Sequence, residues 1–269
     1  METKEYLSNY YQNYDEDGRL TSPHGRVEFL TTMKYIEAYL RPGMRILEIG
    51  AATGRYSHTL AQMGYTVDAV ELVEHNIAIF KQNTKPCEQV TITQGNATDL
   101  SGFADNTYDI TLLLGPMYHL FTEEDKLRAL SEAIRVTKQG GVVFAAYCMG
   151  DASILSYGFI RGEIHNIIEK CMLNTETFDT FSHPWDLFEL HRKEDIDALR
   201  AHFPVTQLHF VASDGYTNHM RETVDRMDKD TYALYIRYHL AVCERVDIGN
   251  VIIHGRTFAD RACLHPQSR

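Results

Sequence analysis

The sequence contains few of the features that mark secreted, membrane-spanning or metal-binding proteins. Only five of its 269 residues are cysteine, and they are widely separated, without a C-x-x-C pair. An odd, scattered set argues against a zinc ribbon or a disulfide framework and favours a reducing compartment. No apolar run approaches the ~20 residues of a membrane span, and the first residues form no apolar signal core. We therefore expect a soluble, cytoplasmic protein with no membrane partner.

Basic residues are also scarce. The chain has 26 Lys and Arg against 37 Asp and Glu, a formal net charge of −11, and no basic cluster. A nucleic-acid-binding protein usually carries a basic patch, so we expect no nucleic-acid partner. The 13 histidines show no tight ligand spacing, so we expect no metal site. The hydrophobic content of 44% excludes a disordered chain.

Apolar runs of strand length alternate with helical patterns along the chain. The predicted strands cover 44–50, 66–70, 90–94, 108–114, 142–148, 204–212 and 251–258. The predicted helices cover 27–40, 57–63, 76–83, 123–137, 196–202 and the region 220–245. This alternation indicates βαβ units, and continuous apolar strands indicate a sheet buried on both faces. We predict an α/β fold, a doubly wound, mostly parallel seven-stranded sheet with helical lid insertions.

The elements after residue 150 can complete the same sheet, so we expect one domain over 1–269. It divides into an N-terminal helical cap (1–40), a core (41–150), a lid insertion (151–192) and a C-terminal completion of the sheet (193–269) with a helical insertion at 213–248. Residues 1–25 are expected to form a short helix and a loop broken by Gly18 and Pro23. The aromatic residues of 157–188 should lie mainly in a helical core, with some lining a substrate pocket.

A turn of small residues follows the first predicted strand. Small residues let a ligand approach the backbone, and the following helix start offers amide donors. A dinucleotide site would require G-x-G-x-x-G, but Ala52 replaces the second glycine and Arg55 the third. Glu48 would add negative charge beside a pyrophosphate. Its carboxylate suits a ligand that carries an ammonium or sulfonium group.

The pattern Glu48-x-Gly50-x-x-x-Gly54 resembles motif I of the class I S-adenosylmethionine-dependent methyltransferases. Matching segments follow in order: Glu71 ends the second strand, 95–100 follow the third, and 109–120 contain the fourth strand and its loop. The resemblance covers roughly 40–150 and is nearest to bacterial small-molecule methyltransferases. The Pro-Pro-aromatic motif of DNA and RNA amino-methyltransferases is missing from the fourth loop.

The resemblance implies a Rossmann-like fold and a site for S-adenosylmethionine, with S-adenosylhomocysteine as the product. It assigns cofactor contacts to Glu48, Gly50, Ala51, Ala52, Gly54, Arg55, Glu71, Leu72, Asn96, Ala97, Leu114 and Gly115. Glu71 would accept the ribose hydroxyls, and Asn96 would take the place of the usual Asp at the adenine. From the N-terminal segment, Tyr14 could cover the sulfonium and Arg19 could pair with the methionine carboxylate.

His119, with Tyr118 beside it, is the best-placed candidate for a catalytic base. The expected function is methyl transfer to a small-molecule acceptor by in-line displacement. The acceptor atom stays open among O, N, S and C, and protein acceptors stay open too. Two alternatives are a non-catalytic sensor or scaffold that binds S-adenosylmethionine and an NAD-dependent oxidoreductase. An exposed sheet edge or an insertion could support a homodimer.

Overall fold

A computed structural model describes residues 3–245 and 254–260 of the chain. Eight strands form one sheet. They are β1 (Arg45–Ile49), β2 (Thr66–Glu71), β3 (Val90–Gln94), β4 (Tyr108–Leu113), β5 (Thr137–Met149), β6 (Leu190–His191), β7 (Thr206–Ala212) and β8 (His254–Asp260). Their order is β3-β2-β1-β4-β5-β8-β7, and the two-residue β6 pairs with the end of β5.

All strand pairs are parallel except the two that β8 makes, with β5 and with β7. The prediction of a mostly parallel seven-stranded sheet is confirmed, with β6 as a short addition. Residues 251–253 of the last predicted strand lie outside the described residues. Strand order reverses between β1 and β4, where Glu48 lies opposite both Ala69 and Leu112. Ligands of open α/β sheets bind beyond the carboxyl ends of the strands at such a switch point.

Eleven α-helices occupy the described residues. They are α1 (Thr3–Tyr11), α2 (Glu16–Arg19), α3 (Pro23–Tyr39), α4 (Arg55–Gln62), α5 (Glu74–Asn83), α6 (Glu123–Val136), α7 (Gly150–Ser153), α8 (Ile164–Glu169), α9 (Lys193–Ala201), α10 (Arg221–Asp225) and α11 (Lys229–Val242). A π-helical segment (Ile154–Ile160) and three 3-10 turns complete the set. None of these described helices is long and apolar enough to cross a membrane.

Two apolar clusters cover the two faces of the sheet. Leu47 and Leu113 belong to the cluster that includes side chains of α6 and α9, and Ile46 and Leu112 belong to the cluster that includes side chains of α3 and α4. Neighbouring residues of one strand point to opposite faces, which explains why the strands read as continuous apolar runs. Each such side chain contributes about 1.5–3 kcal/mol when fully buried. The clusters hold the loops at the strand ends in place.

Several local predictions were wrong. Pro23 does not break a loop but begins α3, because proline fits the first turn of a helix and Ser22 caps it by accepting from the Gly25 amide. The strand predicted at 142–148 begins already at 137. The helical region 220–245 is divided into α10 and α11.

The aromatic residues of the segment 151–192 were expected mainly in a helical core, but most are exposed. The exposed set is Tyr157, Phe159, Phe178, Phe181 and Trp185. The segment folds as short helical pieces, whose apolar centre is only a small cluster around Ile154, Ile167 and Leu173. Phe188 is the aromatic side chain of this segment that lines a cavity. A cluster of that size cannot cover so many large rings.

Candidate functional site

The loop between β1 and α4 is folded tightly against the end of β2. The amides of Gly50 and Ala51 both donate to the carbonyl of Val70, at 2.8 and 3.1 Å. Gly50 has φ +73°, and a Cβ there would lie 2.7 Å from Cδ of Pro116. Only glycine fits this approach without displacing the loop after β4. Ala52 also has a positive φ of 48°, which a residue other than glycine rarely adopts.

Glu71 joins this loop to the end of β2. Its carboxylate accepts from the amide of Ala52 at 2.8 Å and from the amide of Val73 at 2.9 Å. Burial raises the pKa of Glu71 above its usual range, although these N–H donors oppose the shift. A carboxylate has about four lone-pair directions, so Glu71 can still accept from ligand hydroxyls.

A cavity of about 440 Å³ opens at the switch point, and we call it the switch-point cavity. Six of the predicted cofactor contacts line it: Gly50, Ala52, Glu71, Leu72, Asn96 and Gly115. His119 lines it too. Oδ1 of Asn96 accepts from the Thr98 amide at 3.2 Å. A carbonyl oxygen has two lone pairs, so Asn96 can still accept from a ligand.

The other predicted contacts from the glycine loop and its neighbours lie off this wall. Glu48 is buried and accepts from the hydroxyl of Ser57. The guanidinium of Arg55 lies 4.8 Å from the ring centre of Phe29. The remaining four have structural surroundings: Ala51 and Ala97 are in apolar clusters, Gly54 begins α4, and Leu114 is buried.

A second cavity, also of about 440 Å³, lies beside the first. We call it the tyrosine cavity, because Tyr10, Tyr11, Tyr14 and Tyr118 line it. Arg19 lines it as well. The N-terminal predictions Tyr14 and Arg19 therefore lie with Tyr118, and Tyr11 lines both cavities.

His119 is held between two hydrogen bonds. Its Nδ1 lies 2.7 Å from the carbonyl oxygen of Leu187, which can only accept, so Nδ1 carries the proton. Nε2 then accepts from the hydroxyl of Tyr11 at 3.2 Å. Burial lowers the pKa of His119 to about 4 and raises the pKa of Tyr11 well above its usual value. The pair is therefore neutral at neutral pH, with Tyr11 as donor.

The residues that line the switch-point cavity without having been predicted include Tyr11 and Asn76. The pairing of Tyr11 with His119 spans 108 residues and has no sequence signal. Asn76 on α5 lies 3.4 Å from Glu71, and its position five residues after that carboxylate was the only sign. Within residues 3–245 and 254–260, no group of three or more His, Cys, Asp or Glu is arranged to hold a metal ion.

The comparison with known proteins agrees with this geometry. Residues 47–145 match the family model described as a methyltransferase domain. A demethylmenaquinone methyltransferase of Renibacterium salmoninarum is 33% identical over 39% of this chain and 41% of its own length. A ubiquinone biosynthesis O-methyltransferase of Hydrogenovibrio crunogenus is 26% identical over 67% of this chain and 73% of its own length. The first match thus spans less than half of the relative.

Solved structures show the same fold. The PH0226 protein of Pyrococcus horikoshii superposes with a TM-score of 0.59 at 14% identity, over 94% of this chain and 98% of its own. The strand order, the glycine loop and the family match lead to one classification. Residues 47–145 form a methyltransferase domain, and the fold of the chain is that of S-adenosylmethionine-dependent methyltransferases.

Proposed function

We propose that the protein transfers the methyl group of S-adenosylmethionine to a small-molecule acceptor. The observation that carries this proposal is the position of Glu71. Its carboxylate is on the wall of the switch-point cavity, anchored by the amides of the loops after β1 and β2. Oε1 also accepts from the side-chain amide of Asn76 at 3.4 Å, so Oε2 is the oxygen with a lone pair left for a ribose hydroxyl. The anchored carboxylate meets that hydroxyl without a change of rotamer, which would cost binding energy.

The rest of the switch-point cavity suits a nucleoside. Asn96 offers its amide carbonyl to an adenine amino group, and Gly50 lets Pro116 of the loop after β4 approach the glycine loop closely. Leu72 adds apolar surface beside Glu71. Among the residues that the structure describes, this wall has no arginine and one lysine, Lys4. A dinucleotide pyrophosphate would have little positive charge to meet there, which favours S-adenosylmethionine over NAD.

Tyr14 and Arg19 fit the methionine end of the cofactor. Arg19 donates through Nε to Glu16 at 2.9 Å and through Nη1 to Glu28 at 2.7 Å. These two bonds fix the guanidinium and leave its Nη2 donors for a carboxylate. Bound S-adenosylmethionine would supply a methyl carbon already activated by the sulfonium. The protein then has to align the acceptor and exclude water, and such positioning can contribute up to about 7–11 kcal/mol.

Catalytic roles for His119 and Tyr118 stay predictions. Tyr118 donates to the carbonyl of Leu114 at 3.1 Å, which holds the loop after β4 against the tyrosine cavity. His119 accepts a hydrogen bond from the Tyr11 hydroxyl, so its effect on methyl transfer would pass through that hydroxyl. The acceptor is a small molecule in this proposal. One relative is named for demethylmenaquinone and the other for ubiquinone biosynthesis, which is consistent with small-molecule acceptors.

The test is calorimetric titration of the protein, stripped of copurified ligand, with S-adenosylmethionine, S-adenosylhomocysteine and NAD. We expect micromolar binding of the two sulfur nucleotides and none of NAD. Formation of S-adenosylhomocysteine on a panel of amines, phenols, thiols and carboxylates then separates an enzyme from a sensor or scaffold. Binding of NAD alone would contradict the proposal and restore the oxidoreductase alternative.

A further inference from the structure

The aromatic rings of the tyrosine cavity are packed as one unit. Tyr10 and Tyr14 stack with ring centres 5.0 Å apart and planes 20° apart. Tyr11 and Phe188 both contact Tyr10 edge-on, with ring centres 5.1 and 6.1 Å from that of Tyr10. Mutual contact fixes the rings, so little entropy is lost when a ligand binds among them. Ring faces attract cations through their quadrupole.

The charged side chains of the same cavity favour a cation as well. Four carboxylates line it against two guanidiniums: Asp15, Glu16, Glu28 and Asp214 against Arg19 and Arg221. The one imidazole on the wall, His24, faces the carboxylate of Asp225 at 2.7 Å. The methionine end of S-adenosylmethionine has one net positive charge. An excess of negative charge therefore remains when the cofactor is bound.

The tyrosine cavity adjoins the place where the methyl group would be presented. Tyr11 belongs to the walls of both cavities. Tyr118, whose hydroxyl is bonded to the loop after β4, also lines the tyrosine cavity. A molecule in the tyrosine cavity would thus contact the same side chain that closes the nucleoside site.

We propose that the tyrosine cavity holds the acceptor beside the methionine end of the cofactor and that the acceptor is an amine, an inference that rests on the proposed methyl transfer. The lone pair of an unprotonated nitrogen forms the new N–CH₃ bond while the S–CH₃ bond breaks and its electron pair stays on sulfur. The positive charge moves from sulfur to nitrogen, and a proton then leaves the nitrogen to water. The carboxylates and ring faces stabilise the charge that develops on nitrogen.

Oxygen acceptors fit the same wall poorly. A phenol or carboxylic acid reacts as its anion, which the four carboxylates would repel. A phenol would also need a base, and Nε2 of His119 is already bonded to Tyr11. Carboxylate groups contribute to the raised pKa of the lining tyrosines: burial, then Tyr14 and Glu16, raise the pKa of Tyr10 to about 12. The wall thus disfavours added negative charge.

The experiment is a titration of the protein saturated with S-adenosylhomocysteine, using tetramethylammonium chloride as the probe. Tert-butyl alcohol, of similar shape but uncharged, is the matched control ligand. We expect tetramethylammonium to bind at least about ten-fold more tightly than the alcohol. Glu28→Gln should weaken its binding about five-fold or more, because one lining carboxylate is lost.

Glu222→Gln is the control variant, since it removes the same charge from an exposed side chain of α10 that does not line the cavity. It should leave the affinity for tetramethylammonium unchanged. Tyr10→Leu removes a lining ring that the proposed function does not assign to the cofactor and leaves the charge unchanged. It should weaken tetramethylammonium binding too, and it covers the case in which Glu28→Gln does not fold. Equal binding of the two probes, or equal effects of the two glutamine variants, would overturn the proposal. Loss of S-adenosylhomocysteine binding itself would instead refute the proposed function.

Discussion

The hydroxyl of Tyr11 lies 3.2 Å from Nε2 of His119, while Nδ1 of the same ring lies 2.7 Å from the carbonyl of Leu187. Through one imidazole, the N-terminal helix α1, the loop after β4 and the segment before β6 meet at the boundary of the two cavities. Helix α1 and the segment before β6 are thus connected to the loop after β4 at the site itself.

Removal of the Tyr11 hydroxyl tests this connection. Tyr11→Phe keeps the ring but leaves Nε2 of His119 without its donor, which loosens the boundary where acceptor and methyl group are aligned. We therefore expect turnover to fall roughly ten-fold or more while cofactor affinity stays within about two-fold. His119→Ala should lower turnover similarly. The measurements are the rate of S-adenosylhomocysteine formation with an acceptor from the panel and calorimetry with S-adenosylhomocysteine.

The double variant separates a pair from two independent groups. If Tyr11 and His119 act as one unit, the double variant should lose no more than either single one. Losses that multiply would show independent roles. If His119→Ala keeps the normal turnover, the imidazole of His119 has only a structural role.

Glu71→Ala tests the ribose assignment. We expect it to weaken S-adenosylhomocysteine binding by about 1–3 kcal/mol, because charge-assisted hydrogen bonds are lost. Glu74→Ala, at the exposed start of α5, is the matched control and should bind normally. Calorimetry gives the affinities, and thermal unfolding checks that the loop held by Glu71 still folds. An unaltered affinity in Glu71→Ala would remove this residue from the site.

Sequence patterns predicted the central part of the fold well, because buried parallel strands and the glycine turn have local signals. The turn at Gly50 needs a positive φ, and the carboxylate at the end of β2 has a fixed distance from it along the chain. Both constraints act between residues that are close together in the sequence. The seven-strand topology followed from the alternation of strands and helices.

The walls of the tyrosine cavity were less predictable, because they are built from segments distant in the chain. Arg19 on α2 and Glu28 on α3 are near in the chain and form an ion pair. Phe188 and Asp214 also line the cavity but lie more than 150 residues further along the chain. The ligand contact expected of Glu48 stays a prediction. Its carboxylate accepts from the hydroxyl of Ser57 on α4, a contact that the motif spacing does not indicate.

Gly50→Ala tests the close approach of two loops. A Cβ at Gly50 would meet Pro116 at 2.7 Å, whereas Gly43 has a similar φ of +81° and nothing within 4 Å of its Cβ. Gly43→Ala should therefore cost only the backbone strain, about 1–2 kcal/mol. Gly50→Ala should cost about 1–3 kcal/mol more and weaken S-adenosylhomocysteine binding. Urea unfolding measures both variants, and equal costs would show that the loops separate without penalty.

Because the ring of His191 is buried, we expect the protein to lose stability in mild acid. Its ring is buried beside Tyr147, and burial, followed by the nearby ammonium of Lys126, lowers the pKa of His191 to about 3. The unfolded chain takes up the proton near pH 6.5, so stability is full above that pH and falls as the pH approaches 3.

Between pH 7 and 5 this one group should reduce the free energy of unfolding by about 2 kcal/mol. Glu189, whose pKa is raised by burial, acts in the opposite direction, so the contribution of His191 must be isolated with a variant. His191→Phe keeps a ring at the site and should flatten the decline measured by urea unfolding at pH 7, 6 and 5. The same change at the exposed His165 should leave the decline as it is. If the free energy of unfolding falls equally with pH in His191→Phe and in the unchanged protein, the prediction is wrong. His191 would then take up its proton without cost, because the structure around it opens before the whole domain unfolds.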